Sequence, residues 1–353
     1  MKQIRFFVLH PKCYDVDSAL HYLFLEDLKA KFHFIWDSST PDYVIVSEVI
    51  YNNRHFFEKY LSLTINNPIQ IMWAGEAIEP DFNIFDYATA FSSTLSNSDR
   101  FTQFPSCFVW SERRGFIKTF ENTIESIEQA KNELSRKKCF CNFLYSNYKA
   151  HPNRDKLFYI LSKYKSVDSL GKHLNNVDKK GTGYLGHMMD CIDIKNAYKF
   201  SISSENAQVA GYTSEKILTS LCAHTIPIYW GDPDIELNIN PKCFINCNKF
   251  DHLDDIIQIV KSIDEDDEKW CEMISAPWRT PEQVSYHNKR MTDYMLFFVN
   301  IFSQDKIKAR RRGAGTWPDF YSESFKRLKQ PRYQRFIFAY RFLKYKVKCL
   351  RMK

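Results

Sequence analysis

No apolar run in this chain of 353 residues is long enough to cross a bilayer. Lys2 and Arg5 are followed only by Phe6, Phe7, Val8 and Leu9 before His10. That is too short for a signal peptide, so the run reads as a first buried strand and no targeting segment is expected. Internal repeats and low-complexity tracts are missing, and the body has no coiled-coil heptads. Neither a Walker loop nor a dinucleotide-binding glycine fingerprint occurs, which argues against nucleoside-triphosphate and NAD chemistry. Ten cysteines are present. Cys139-Phe-Cys141 and the Cys243–Cys247 pair lack a nearby histidine or a second knuckle, so zinc is not expected. Reduced cytosolic thiols are the expected state.

What the chain does have is ordinary bulk with an uneven charge. Hydrophobic content of 44% and charged content of 26% suit a globular protein, and the length suggests two domains. The net charge is +7. From Lys326 to Lys353 there are eleven Lys and Arg and no Asp or Glu. The body is therefore mildly acidic, and its charge gives no reason to expect nucleic-acid binding.

Short apolar runs alternate with helical stretches. Ile4–His10, Tyr43–Ser47 and Ile69–Ala74 read as strands, with a helix over Asp17–Phe32 between the first two. Phe85–Ala88 adds a short strand. Thr119–Lys138 reads as a charged helix approaching a second domain. There Cys139–Tyr145, Lys165–Ser169, Tyr198–Ser203 and Ile226–Trp230 are strands, and helices start at Arg154 and Leu253. The acidic run Asp264–Glu268 reads as a solvated helix start. The pattern predicts an α/β fold with parallel sheets, in which ligands bind beyond the carboxyl ends of strands. Glu76 falls at such an end.

The most informative stretch is Ser203–Pro233. A polar loop reaches Gly211, Thr213 or Ser214 can cap a helix, and Ile226–Trp230 follows as a buried strand. The opening turn of a helix favours anions. Lys216 in that turn is disfavoured by the helix dipole unless it faces a negative charge.

Glu205-Asn206, Gly211-Tyr212, Glu215-Lys216, Pro227-Ile228-Tyr229-Trp230-Gly231, Pro233, Asn240-Pro241-Lys242 and Phe244-Ile245 closely resemble glycosyltransferase family 10, the α1,3/4-fucosyltransferases, in type, order and spacing. Gly75-Glu76, Pro80 and Phe82–Ala88 resemble the acceptor-side motif of bacterial members, and Ser146-Asn147 with Arg154 resembles their Ser-Asn…Arg segment. The resemblance implies a GT-B arrangement, two Rossmann-like domains facing across a cleft. The domains would be an acceptor-binding one over 1–128 and a GDP-sugar-binding one over 129–300, with a basic aromatic tail over 301–353.

The implied reaction is inverting transfer of L-fucose from GDP-fucose. The hydroxyl receiving it would be O3 of N-acetylglucosamine in a lactosamine-type acceptor, in surface glycan or lipopolysaccharide synthesis. Inverting displacement needs a base on one face and positive charge for the departing diphosphate on the other. Glu76 is the candidate base, with Glu79 its neighbour and rival. The resemblance gives the donor site to Arg154, Asn206, Tyr212, Glu215 and Lys216, with Glu205 beside them. Asp232-Pro-Asp234 invites a metal reading, but it sits in the turn after the Tyr-Trp-Gly strand. Two cations already serve the diphosphate, so no metal or other cofactor is expected. The alternatives are transfer of another GDP-sugar, or a non-catalytic glycan-binding protein at a membrane.

Phe336, Tyr340, Leu343, Val347 and Leu350 recur at helical spacing among Arg and Lys. Such a basic amphipathic helix suits the surface of an anionic membrane. The expected partners are thus GDP-fucose, a glycan acceptor and, through 326–353, the membrane. The expected location is cytoplasmic, peripheral to the inner face of the membrane.

Overall fold

The computed structural model describes residues 1–95, 98–105, 107–109, 121–177 and 188–328, together with 340 and 343. Among the described residues, eleven strands form two parallel sheets. The first contains β1 (Lys2–Leu9), β2 (Phe32–Trp36), β3 (Tyr43–Val46), β4 (Ile69–Trp73), β5 (Tyr87–Ala90) and β6 (Phe101–Gln103), in the order β2-β1-β3-β4-β5-β6. The second contains β7 (Cys139–Phe143), β8 (Val167–Ser169), β9 (Tyr198–Ser204), β10 (Ile226–Trp230) and β11 (Ile245–Asn246), in the order β11-β10-β9-β7-β8.

Both sheets are covered on both faces, which is why central strands such as β3, β4 and β10 are buried and apolar nearly throughout. On the first sheet, Ile4, Phe6, Ile45, Ile71 and Trp73 face one core, while Val44, Val46, Met72 and Ala88 face the other. On the second, Cys141, Phe143, Phe200, Ile202 and Ile228 meet Leu157 and Leu161 of the Pro152–Ser162 helix. Ile217, Leu218 and Leu221 of the Glu215–Cys222 helix pack a separate cluster with Tyr229 and Trp278. The long Pro281–Ser303 helix leaves the second sheet and buries Tyr294, Phe298, Ile301 and Phe302 in the first core. Residues up to 300, expected with the second domain, therefore include a stretch that packs on the first.

Three local expectations need correction. The helix predicted over Asp17–Phe32 spans only Val16–Leu23; Phe24 ends it at φ 57°, and Phe32 already begins β2. Burial of Phe24, Leu25 and Leu28 in the first core outweighs the left-handed turn's cost. In the stretch predicted helical from Thr119, the described helix is Ile127–Leu134, capped by Ser126. Asn122 ahead of it donates to the carbonyls of Ile274 and Ala276 at 2.7 and 2.8 Å. Asp264 is buried rather than solvated, with Lys165 and Lys199 each 3.0 Å away. Burial opposes its charge, yet those lysines hold its carboxyl below the usual range. The next helix starts as predicted, with Asp266 accepting from the backbone of Glu268 and Lys269.

The described cysteines are free thiols. No described helix is long and apolar enough to cross a membrane. The tail over 326–353 lies outside the described residues, apart from the last turn of the Thr316–Leu328 helix and positions 340 and 343.

Candidate active site

In the second sheet the chain leaves β7 for β8 on one side and returns to β9 on the other. The crevice between β7 and β9 at their carboxyl ends is thus a topological switch point, where open α/β sheets bind ligands. A cavity of about 310 Å³ opens there. Arg154, Asn206, Glu215 and Lys216 line it, as do Tyr145, Asn147 and Lys195.

Arg154 lies in the first turn of the Pro152–Ser162 helix, whose Pro152 suits a helix start. It is fully buried. Its Nη1 donates to Asn206 Oδ1 at 3.2 Å and its Nη2 to the Asn147 carbonyl at 2.5 Å. The guanidinium lies 4.5 Å from the Tyr145 ring centroid. Its Nε has no hydrogen-bond partner among the described residues. The neighbouring Asp155 is 3.7 Å from that atom and bonds instead to His173 at 2.8 Å. A buried guanidinium facing a cavity with an unused donor is suited to an anion.

Lys216 lies in the first turn of the Glu215–Cys222 helix. The negative charge its position requires comes first from the protein. Its Nζ is 3.1 Å from Glu205 Oε2, 2.7 Å from Ser214 Oγ and 3.6 Å from Glu215 Oε1. Burial works against this ammonium, but Glu205 and Glu215 carry its pKa well above the ordinary lysine value. Glu205 is fully buried, which raises its pKa, with Lys216 pulling the other way. Its Oε1 accepts from the Ser214 backbone at 2.7 Å and its Oε2 from the Ser214 hydroxyl at 2.6 Å. Ser214 thus occupies the helix cap, as predicted, but its hydroxyl serves Glu205. Glu215 is half exposed at the rim, its carboxyl held below the ordinary range by Lys216.

Tyr212 and Glu205, expected with the donor residues, do not line this cavity. Glu205 is turned onto Ser214 and Lys216. Tyr212 is turned onto the first domain, where its hydroxyl donates to Glu76 Oε2 at 3.1 Å. Glu76 follows β4 and is exposed, and Glu79 is exposed beside it. The carboxyl ends of the two sheets meet here: Ser93 after β5 donates from its hydroxyl to Asp234 at 2.6 Å and from its backbone to the Ala210 carbonyl at 3.1 Å.

Asp232 does not fit a metal ligand. It is buried; its Oδ1 accepts from the backbones of Gly211 and Asp234 at 2.7 and 2.8 Å, and its Oδ2 from Thr213 Oγ1 at 2.8 Å. Asp234 is bonded to Ser93. Among the described residues no cluster of His, Cys, Asp and Glu could hold an ion.

Sequence reasoning passed over Lys195. Its buried Nζ donates to Thr219 Oγ1 at 2.8 Å, Ser220 Oγ at 2.9 Å and the Lys216 carbonyl at 3.2 Å. Burial lowers its pKa to about 8. In the sequence it is a basic residue in a helix's last turn, a commonplace position, and its partners lie more than twenty residues away.

Two parallel α/β domains whose strand ends meet over a cation-lined cavity make this a GT-B protein. The model described as "Glycosyltransferase family 10 (fucosyltransferase) C-term" matches residues 134–308. The "Alpha-(1,3)-fucosyltransferase FucT N-terminal domain" model matches residues 9–110. The chain belongs to glycosyltransferase family 10. It is 26% identical over 272 residues to the alpha-(1,3)-fucosyltransferase FucT of Helicobacter pylori, covering 69% of this chain and 55% of that one. It is 25% identical over 217 residues to the human GDP-fucose protein O-fucosyltransferase 3, covering 60% of this chain and 43% of that one. The chain thus spans about half the length of these relatives. A crystal structure of an alpha1,3-fucosyltransferase with GDP shares the fold, with a TM-score of 0.64, 22% identity and coverage of 86% of this chain and 91% of that one.

Proposed function

We propose that this chain transfers L-fucose from GDP-fucose to a sugar hydroxyl with inversion at the anomeric carbon. The observation that carries the reading is Arg154, a buried guanidinium that lines the same cavity as Lys216 and whose Nε has no hydrogen-bond partner among the described residues. The two cations would hold the diphosphate. As the glycosidic C–O bond breaks, negative charge grows on the leaving phosphate oxygen, and fixed cations in a partly buried site favour that state over the ground state. Arg154 supplies a planar fork and Lys216 a point charge.

Asn206 holds Arg154, Glu205 holds Lys216, and Lys195 anchors the first turn of the helix that carries Lys216. Glu215 at the rim would accept hydrogen bonds from ribose hydroxyls. Glu76 would take the proton from the attacking hydroxyl as the new C–O bond forms on the face of the sugar opposite the departing GDP. Because two cations neutralise the leaving group and both Asp232 oxygens are committed, transfer proceeds without a divalent metal.

The acceptor is O3 of N-acetylglucosamine in a lactosamine-type glycan, giving an α1,3 linkage in Lewis-type surface glycan or lipopolysaccharide. The resemblance of the Gly75–Ala88 segment to bacterial members supports this choice. The basic residues over 326–353 support peripheral attachment to the inner face of an anionic membrane. Incubation with GDP-fucose and a panel of lactosamine-type acceptors, with product linkage read by NMR, tests the reading. Absence of transfer to every acceptor, despite GDP binding, overturns it in favour of a non-catalytic protein.

A further inference from the structure

Residues 209–216 form a strap gripped from both domains. Asp232 holds the backbone of Gly211 and the hydroxyl of Thr213, and Glu205 holds Ser214 and Lys216. On the other side, Gly211 lies so close to the first domain that a Cβ there would stand 2.2 Å from the Phe91 carbonyl oxygen. The Tyr212 ring packs edge-on against Phe91, with centroids 4.8 Å apart. Tyr212 is buried, and its hydroxyl reaches Glu76 at 3.1 Å.

We propose that Tyr212 is a positioning residue for Glu76, delivering a hydrogen bond across the cleft from the strap that also carries Lys216. The inference rests on Glu76 being the base. Glu76 follows a strand end and is exposed, so a free carboxylate there would sample several rotamers. A hydrogen bond from a buried phenol selects one of them. Burial pushes the phenol far above its ordinary pKa, so it stays a donor throughout the working range. The second carboxylate oxygen remains available for the acceptor proton. Since Lys216 lies four residues along the same clamped strap, the spacing between the diphosphate cation and the base is set by a continuous segment of backbone.

The test is a double-mutant cycle on the full chain, with Tyr212→Phe, Glu76→Gln and the pair assayed for kcat, for KM toward GDP-fucose, and for GDP affinity by calorimetry. Tyr212→Phe keeps the ring against Phe91 and removes only the hydroxyl. It is expected to lower kcat roughly ten- to a hundredfold, the range for a hydrogen bond to a charged group. KM for GDP-fucose and GDP affinity should stay within about twofold. In the Glu76→Gln background the same substitution should change the residual rate by less than about twofold. A wild-type kcat in Tyr212→Phe, or an equal loss in both backgrounds, overturns the inference, because a merely structural tyrosine costs the same with or without the base. Equal transfer by Glu76→Gln and wild type overturns the base assignment and this inference together. A wild-type chain that transfers nothing overturns the functional reading as well.

Discussion

The Nζ of Lys216 and Oε2 of Glu205 stand 3.1 Å apart, with the carboxylate fully buried and the lysine side chain partly so. This pair separates two jobs that one substitution would confuse. Lys216→Met removes a proposed diphosphate ligand and also strands a buried carboxylate. It should weaken GDP binding at least tenfold and destabilise the fold by about 3 kcal/mol. Adding Glu205→Gln should recover most of the stability and none of the affinity. Calorimetry with GDP and urea denaturation read the two effects independently.

Stability should fall in mild acid. Burial lowers the pKa of His10 to about 4 and of His287 to about 3, with Lys12 adding at the first and Arg279 and Arg290 at the second. Both rings are neutral in the folded chain, while unfolded histidine titrates near 6.5. The unfolded state therefore binds more protons below that pH. Stability is fully present above about 6.5 and is lost as the pH falls toward the folded values, at most about 1.4 kcal/mol per pH unit for each ring. Urea midpoints at pH 7.5 and 5.5 should show the drop, and His287→Gln should reduce it.

Transfer should persist in EDTA. The Asp232 carboxylate already accepts from two backbone N–H groups and one hydroxyl, and replacing those donors with an ion would release the Gly211 turn. Loss of activity in EDTA that Mn²⁺ restores would contradict this.

Gly211→Ala should be costly beyond its size. The residue has φ +87°, a left-handed conformation, and its new methyl would meet the Phe91 backbone oxygen. A loss of about 2 kcal/mol or more is expected, larger than for strain alone because a backbone atom cannot rotate away. Thermal unfolding checks the stability. A fall in kcat would accompany it if the strap must stay seated on the first domain.

The parts of this architecture that were legible in sequence are those written locally. β1, β3, β4, β7 and β10 carry apolar runs with clear ends, β9 leads into the motif-rich stretch, and Arg154 and Lys216 sit in motif segments whose order and spacing point to one pocket. The parts that were not legible depend on distant partners. β2 was hidden because Phe32 extended the apolar spacing of the helix before it; its ladder pairing with Lys2 and its packing against Phe302 distinguish the two. Asp264 looked like surface acid until Lys165 and Lys199 closed over it. Asp86 lay in an acceptor-side motif. In the folded chain it is buried, accepting from the backbones of Arg311 and Arg312 at 2.9 Å and from the Arg312 guanidinium. It fastens a late segment to an early strand, and no spacing rule announces a bond across more than two hundred residues.

The crossing of the Pro281–Ser303 helix has a consequence for synthesis. Tyr294, Phe297, Phe298, Ile301, Phe302 and Ala309 complete a core whose other members, from Ile4 to Val109, leave the ribosome long before them. The earlier-made sheet must wait with a greasy flank uncovered, while the later-made one can close around residues already at hand. A nascent chain stalled before residue 281 should therefore attract chaperones to its first half, and the half translated second should be the first to resist protease.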